Sequence, residues 1–140
     1  MKLSTKLMAA TALLAIGAVG GTQIEQLAKV IGIGELVRRF GPDINREVNK
    51  LTGHKDSNAA TTKVVPILSV GVGRSSAIGA AQVTGSKAQV DKVQAVAQPQ
   101  VDVFGNTIRI RALIPVSSTD VSRIRKVEGV GVSALVDVRL

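Results

Sequence analysis

The chain contains no cysteine, tryptophan or tyrosine; Phe40 and Phe104 are its aromatic side chains and His54 its one histidine. Absence of cysteine excludes a disulfide framework, a thiolate metal site and a lipid-modified N-terminal cysteine. A single imidazole with no thiol does not supply the ligands of a transition-metal centre. His54 stands next to Lys55 in a polar stretch and reads as a solvated loop residue. Ser69, Ser75 and Ser76 have no base but His54, which argues against a nucleophilic triad. The acids Asp43, Asp56, Asp91, Asp102, Asp120, Glu128 and Asp137 are scattered, and no acid–base pair emerges from their spacing. Gly71-Val72-Gly73 and Gly129-Val130-Gly131 both lack the third glycine of a dinucleotide-binding turn. The expectation is a non-enzymatic protein with neither cofactor nor metal.

What is present is aliphatic and basic. Hydrophobic residues make up 45% of the chain, enough to argue against disorder, and 140 residues suit one domain. With so few rings, the core must be built from Val, Ile, Leu and Ala, which favours strands. Eighteen Lys and Arg against ten Asp and Glu give a net charge of +8. Such an excess points to anionic partners.

The N-terminus has the pattern of an export signal. Lys2 and Lys6 precede the apolar run Leu7–Val19, and Ala18 and Gly20 lie at the small-residue spacing that favours cleavage before Gly21. The run is shorter than the roughly 20 residues of a membrane span. Because the next charge is Glu25, an uncleaved anchor through residues 7–20 is the alternative. The expected location is periplasmic or secreted. Loss of Lys2 and Lys6 would leave the mature chain at +6.

Residues 22–53 read as an amphipathic helical segment. Ile24, Leu27, Ala28 and Ile31 keep helical spacing, Gly32 and Gly34 interrupt it, and Glu35–Phe40 makes a short piece stopped by Gly41. Pro42 and Asp43 restart a helix with Ile44, Val48 and Leu51 on one face and Gly53 at its end. Arg38, Arg39, Arg46 and Lys50 form the basic side. With Phe40 they are the candidate contact for an anionic surface, in the manner of a helix lying on a membrane. A helix of this kind more often covers a sheet.

Residues 54–62 form a polar linker, and 63–140 a β-rich α+β domain. Gly105-Asn106 suits a two-residue type II′ hairpin loop. Placing Phe104 opposite Thr107 makes Val103–Ile108, Val101–Ile110, Pro99–Ala112, Ala97–Ile114 and Ala95–Val116 apolar pairs. The other face then sets Asp102 against Arg109 and Gln100 against Arg111. Ser86 and Gln89 form a capping pattern, so 86–94 reads as a short helix. Ser117–Asp120 with Val121, Ile124 and Val127 repeats it. The chain from Gly73 thus reads as two βαβ-like copies in a mostly antiparallel, ferredoxin-like sheet. The competing architecture is an all-β meander or small barrel.

The second copy, with its hairpin and Glu128-Gly129-Val130 leading into a terminal strand, resembles in outline the envelope-associated BON-type modules. It is also similar in outline to heavy-metal-associated domains, but their paired-cysteine loop is absent, so metal transport is not implied. The functional expectation is a non-catalytic interaction or structural module of the cell envelope, contacting anionic lipid or an envelope protein. The alternative is a nucleic-acid binder using Arg109, Arg111, Arg123, Arg125 and Lys126, an electrostatic mode without aromatic stacking. Nothing in the residues sets an oligomeric state.

Overall fold

In the computed structural model, residues 18–71, 74–119, 123 and 125–139 are described. The apolar run Leu7–Gly17 of the expected leader therefore lies outside the described residues, as do Val121 and Ile124 of the second expected helix. No helix among the described residues is long and apolar enough to cross a membrane.

The helical span α1 (Ala18–Thr52) is two helices that meet at Gly32, so the interruption expected there is present and those expected at Gly34 and Gly41 are not. Its single break is at Gly32, whose φ of 85° and ψ of 164° are not helical. The chain divides there into two units, Ile33–Val138 and the remainder. Gly34 and Gly41 do not stop the helix, and Pro42 lies inside it. The reason is packing. A Cβ at Gly41 would stand 3.0 Å from the Val64 carbonyl oxygen, so this glycine lets the helix touch a strand backbone. Val37 and Ile44 on the same face pack with Val64 and Ala80. Such burial holds the helix through a proline that would otherwise break it. Gly53 closes α1 as expected, with φ of 76° and its N–H bonded to Asn49 O at 2.9 Å. Leu51, expected on the buried face, is 87% exposed.

The domain is α+β, with a curled, mostly antiparallel sheet of half-barrel form. Its long hairpin is β1 (Thr61–Gly71) and β2 (Arg74–Gly85). Thr61 and Thr62, assigned to the linker from sequence, belong to β1. The one-turn helix α2 (Lys87–Val90) follows, with Ser86 as its N-cap. Then come β3 (Ala95–Gln98), β4 (Gln100–Val103), β5 (Ile108–Arg111), β6 (Ile114–Val116) and β7 (Val130–Val136). Five strands form the sheet in the order β6-β3-β1-β2-β7, and β4 and β5 form a separate two-stranded arm.

This order corrects the ferredoxin-like expectation. β3 runs parallel to β1, and β2 runs antiparallel to β1. β2 and β3 therefore run in opposite directions with β1 between them, and the segment joining them is no βαβ crossover. A four-residue α2 cannot return the chain along the length of a strand, so it only turns the sheet's end. Most of the second expected helix lies outside the described residues, and Arg123 within it is in a 3-10 turn, but its expected last residue, Val127, is not helical. Val127 N donates to Pro115 O at 2.9 Å, and Lys126 bridges to Val116, so the chain runs extended beside β6. The capped α2 and the helical α1 also remove the all-β alternative.

The sheet buries both faces. On one, Val65, Ile67, Ala81, Val83, Val96 and Val127 pack with Val90 and Val93 from the α2 turn. On the other, Val64 and Ala80 lie under α1. Ala80 and Ala81 are both fully buried, which explains why so small a strand sequence was needed there.

Candidate functional site

The basic helix face is the first candidate from sequence. Glu35 binds Arg38 through two contacts, one of them Nε to Oε1 at 2.9 Å, and also Arg39 Nε at 3.0 Å. Arg46 pairs with Asp43, and Lys50 with Glu47 at 3.2 Å. The hydrogen bond from Arg38 holds the Glu35 carboxyl below its ordinary range, with Arg39 adding to it. All four expected cations are thus side by side with an acid one turn away. Phe40 is half-buried, and Leu36 and Val37 beside it are buried. The face that was to insert into lipid is already spent on the protein's own core.

The second candidate set, Arg109, Arg111, Arg123, Arg125 and Lys126, is not gathered into one surface. Arg109 Nε binds Asp102 Oδ1 at 2.9 Å, which raises the guanidinium pKa through that hydrogen bond. Arg111 lines a hollow of about 440 Å³ with Leu113, Leu135 and Asp137. Lys126 lines a different groove, with Val70, Ala97, Pro99, Ile114 and Val116, and lies 3.7 Å from Glu128. Arg123 and Arg125 are exposed in the connection to β7.

Sequence reasoning missed a polar core beneath α1. Gln82 is 2% exposed. Its Nε2 donates to Asn45 Oδ1 at 2.9 Å and Asn49 Oδ1 at 2.7 Å, and its Oε1 accepts from Ser133 Oγ at 2.7 Å. Both asparagines donate from Nδ2 to Thr62 Oγ1 at 2.9 Å, and the Thr62 hydroxyl donates to Asp56 Oδ1 at 2.7 Å. His54 Nε2 lies 2.9 Å from Ala60 O and 3.2 Å from Asp56 Oδ1. Ser133 reaches Gln82 because a bulge between Val132 and Ala134 re-aims it. Each buried donor and acceptor of the Gln82 amide is used, so the network fixes α1 on the sheet. Ser69, Ser75 and Ser76 lie at the opposite end of the β1–β2 hairpin from this histidine.

The arm is the most unusual surface. Its register is the one read from the sequence: Val103 opposite Ile108, Val101 opposite Ile110, Asp102 opposite Arg109, Gln100 opposite Arg111. The same alternation continues into β3 and β6, where Ala97 meets Ile114 and Ala95 meets Val116. The turn differs. Gly105 has φ of 62° and Asn106 of 69°, so both central residues are left-handed, as in type I′. Phe104 too has a positive φ, 54°, a strained choice for a bulky side chain, and is 77% exposed. Val101, Ile108 and Ile110 are each about half exposed on one face, while the charged residues occupy the other. Beside its base is the groove of about 320 Å³ at Val70, Ala97, Pro99, Ile114, Val116 and Lys126, where Ala97 and Val116 are already buried. A two-stranded ribbon with one uncovered apolar face is only marginally stable alone, and exposed apolar patches of this kind mark contact sites.

Comparison with known protein-family models, curated proteins and solved structures gives no match for this chain.

Proposed function

We propose that the chain is a non-catalytic structural module of the cell envelope, exported by its N-terminal leader, whose contacts are made by the β4–β5 arm with a protein surface. The observation that carries this reading is the arm's one-sided, half-exposed apolar face of Val101, Ile108 and Ile110, with Phe104 exposed in the turn at its tip. Export rests on Lys2, Lys6 and the run Leu7–Val19. The pairing of Arg38, Arg39, Arg46 and Lys50 with acids argues for the arm over the helix as the contact. Protein is favoured over lipid because the chain has no Trp or Tyr to anchor at a bilayer interface. Among the described residues both edges of the arm also lack a neighbouring strand, and hydrocarbon does not tolerate such open edges.

The test uses protein made in the native host. A photo-crosslinking amino acid placed at Phe104 should give protein adducts in the envelope fraction, whereas the same group at Arg39 should give few. Intact mass from that fraction should be short by a leader of about twenty residues. Adducts from Arg39 alone, or a full-length soluble cytoplasmic protein, would contradict the reading.

A further inference from the structure

We infer that the open end of the curled sheet binds a short aliphatic peptide of two or three residues, held by both of its charged termini. The sheet ends on β6 at one side and on β7 at the other. The segment leading into β7 pairs with β6 at one end, where Val127 N donates to Pro115 O at 2.9 Å. At the other end lies the hollow of about 440 Å³, lined from the β6 side by Arg111 and Leu113 and from the β7 side by Leu135 and Asp137. Strand alternation explains its character. Val96 belongs to the concave core, and two residues along the same strand Gln98 reaches the hollow. Leu113 packs against that core, and Arg111 stands two residues before it at the rim. Leu135 and Ile78, 63% and 46% exposed, lie in this same hollow. An apolar floor with a few convergent polar groups at the mouth of a curled sheet is the usual form of a ligand site.

The side chains that the fold leaves without partners give the ligand's chemistry. Every other acid whose side chain is described stands beside a cation or the histidine. Asp137 has no such partner among the described residues, and neither Arg111 nor the Gln98 side-chain amide has one there. Two opposite charges thus line one hollow without meeting. An occupant carrying both signs satisfies both, with its ammonium at Asp137 and its carboxylate at Arg111 and Gln98. A simple anion would face Asp137 as a like charge, and a simple cation would face Arg111. A hollow of this volume is about 9 Å across if round, the reach of two or three extended residues at ~3.3–3.6 Å each. Because β7 is an end strand, its outer edge is also open to a peptide backbone. Arg111 shares the charged face of the ribbon with Arg109, so this site is separate from the arm's apolar face.

Heteronuclear NMR titration of the full chain with leucyl-leucine should shift the backbone amides of Gln98, Arg111, Leu113, Leu135 and Asp137. The shifts should saturate with a Kd of roughly 0.1–1 mM, as suits a ligand of that size. Arg111→Gln and Asp137→Asn each remove an exposed charge that makes no bond in the fold, and each should weaken leucyl-leucine at least tenfold. N-acetyl-leucyl-leucine, which has no ammonium, should bind the unaltered chain at least tenfold more weakly, and Asp137→Asn should weaken it no further. Leucyl-leucine amide, which has no carboxylate, should behave in the same way with Arg111→Gln. Unchanged spectra up to about 10 mM would overturn the inference, as would equal binding of free and end-blocked peptides. Saturable binding of octanoate that is lost in Arg111→Gln, with no response to leucyl-leucine, would overturn it in favour of an amphipathic anion. None of these outcomes bears on the arm, whose test is the Phe104 adducts.

Discussion

Gln82→Leu should lower the stability of the sheet domain by about 2–3 kcal/mol, in a chain whose total stability is of order 5–15 kcal/mol. Leucine matches the volume of glutamine and would be harmless at an ordinary buried site. Here it strands two partners, the side-chain oxygens of Asn45 and Asn49, while the exposed Ser133 hydroxyl keeps the Gln82 backbone oxygen at 3.3 Å. Each group left buried without a partner costs about 1–3 kcal/mol, with the acceptors at the low end. Gln82→Glu separates polarity from pairing, since a carboxylate still accepts from Ser133 but offers no hydrogen to either asparagine. It should be as damaging as leucine near neutral pH. Thr62→Val should cost less, because Asn45 and Asn49 keep their bonds to Gln82 while Asp56 is partly exposed to water. Chemical denaturation followed by far-UV circular dichroism reads all three. A loss below 1 kcal/mol for Gln82→Leu would mean that the network does not hold α1 to the sheet.

Gly41→Leu should cost about 3 kcal/mol or more, although leucine is the better helix former by nearly 1 kcal/mol. The intrinsic gain is overruled by space. The Cβ alone would sit 3.0 Å from the Val64 oxygen, and the contact is with backbone, which cannot rotate aside. The rest of the side chain would have to lift α1 from Val64 and Ala80. Gly41→Ala isolates the two terms, because it gains the helical preference and adds one tight contact. Its net effect should lie within about 1 kcal/mol of zero. Equal stability of the leucine and alanine variants in denaturant melts would show that α1 does not approach β1 as closely as described.

The contrast between these sites and the arm explains what the sequence made legible. The arm is local: two strands joined by a short turn, in which one register satisfies an apolar face and a charged face together. Only the turn type escaped, because Gly-Asn suits both primed turns, and the left-handed Asn106 decides between them. Ser86 was readable as a cap for the same reason of locality. Gly34 and Gly41 were not, since a glycine that breaks a helix and one that permits close approach look alike until the strand is in place. Gln82 was hidden because its partners Asn45 and Asn49 lie more than thirty residues earlier in the chain. A signal existed all the same. Asn45 and Asn49 fall next to Ile44 and Val48 on the buried stripe of the helix, where two amides one turn apart demand a polar counterpart. The sheet order was beyond the repeat pattern, because matching strand lengths carry no information on strand direction.

Amide hydrogen exchange read by mass spectrometry, on the chain alone and with detergent-solubilised envelope protein added, tests the central claim, that the arm is an exposed contact surface. Alone, peptides spanning residues 100–111 should exchange far faster than those of the β1–β2 hairpin. With envelope protein added, the same arm peptides should slow at least severalfold, while peptides from residues 38–50 keep their rate. Arm amides already as protected as β1 and β2 in the chain alone would contradict the claim, as would added protection confined to residues 38–50.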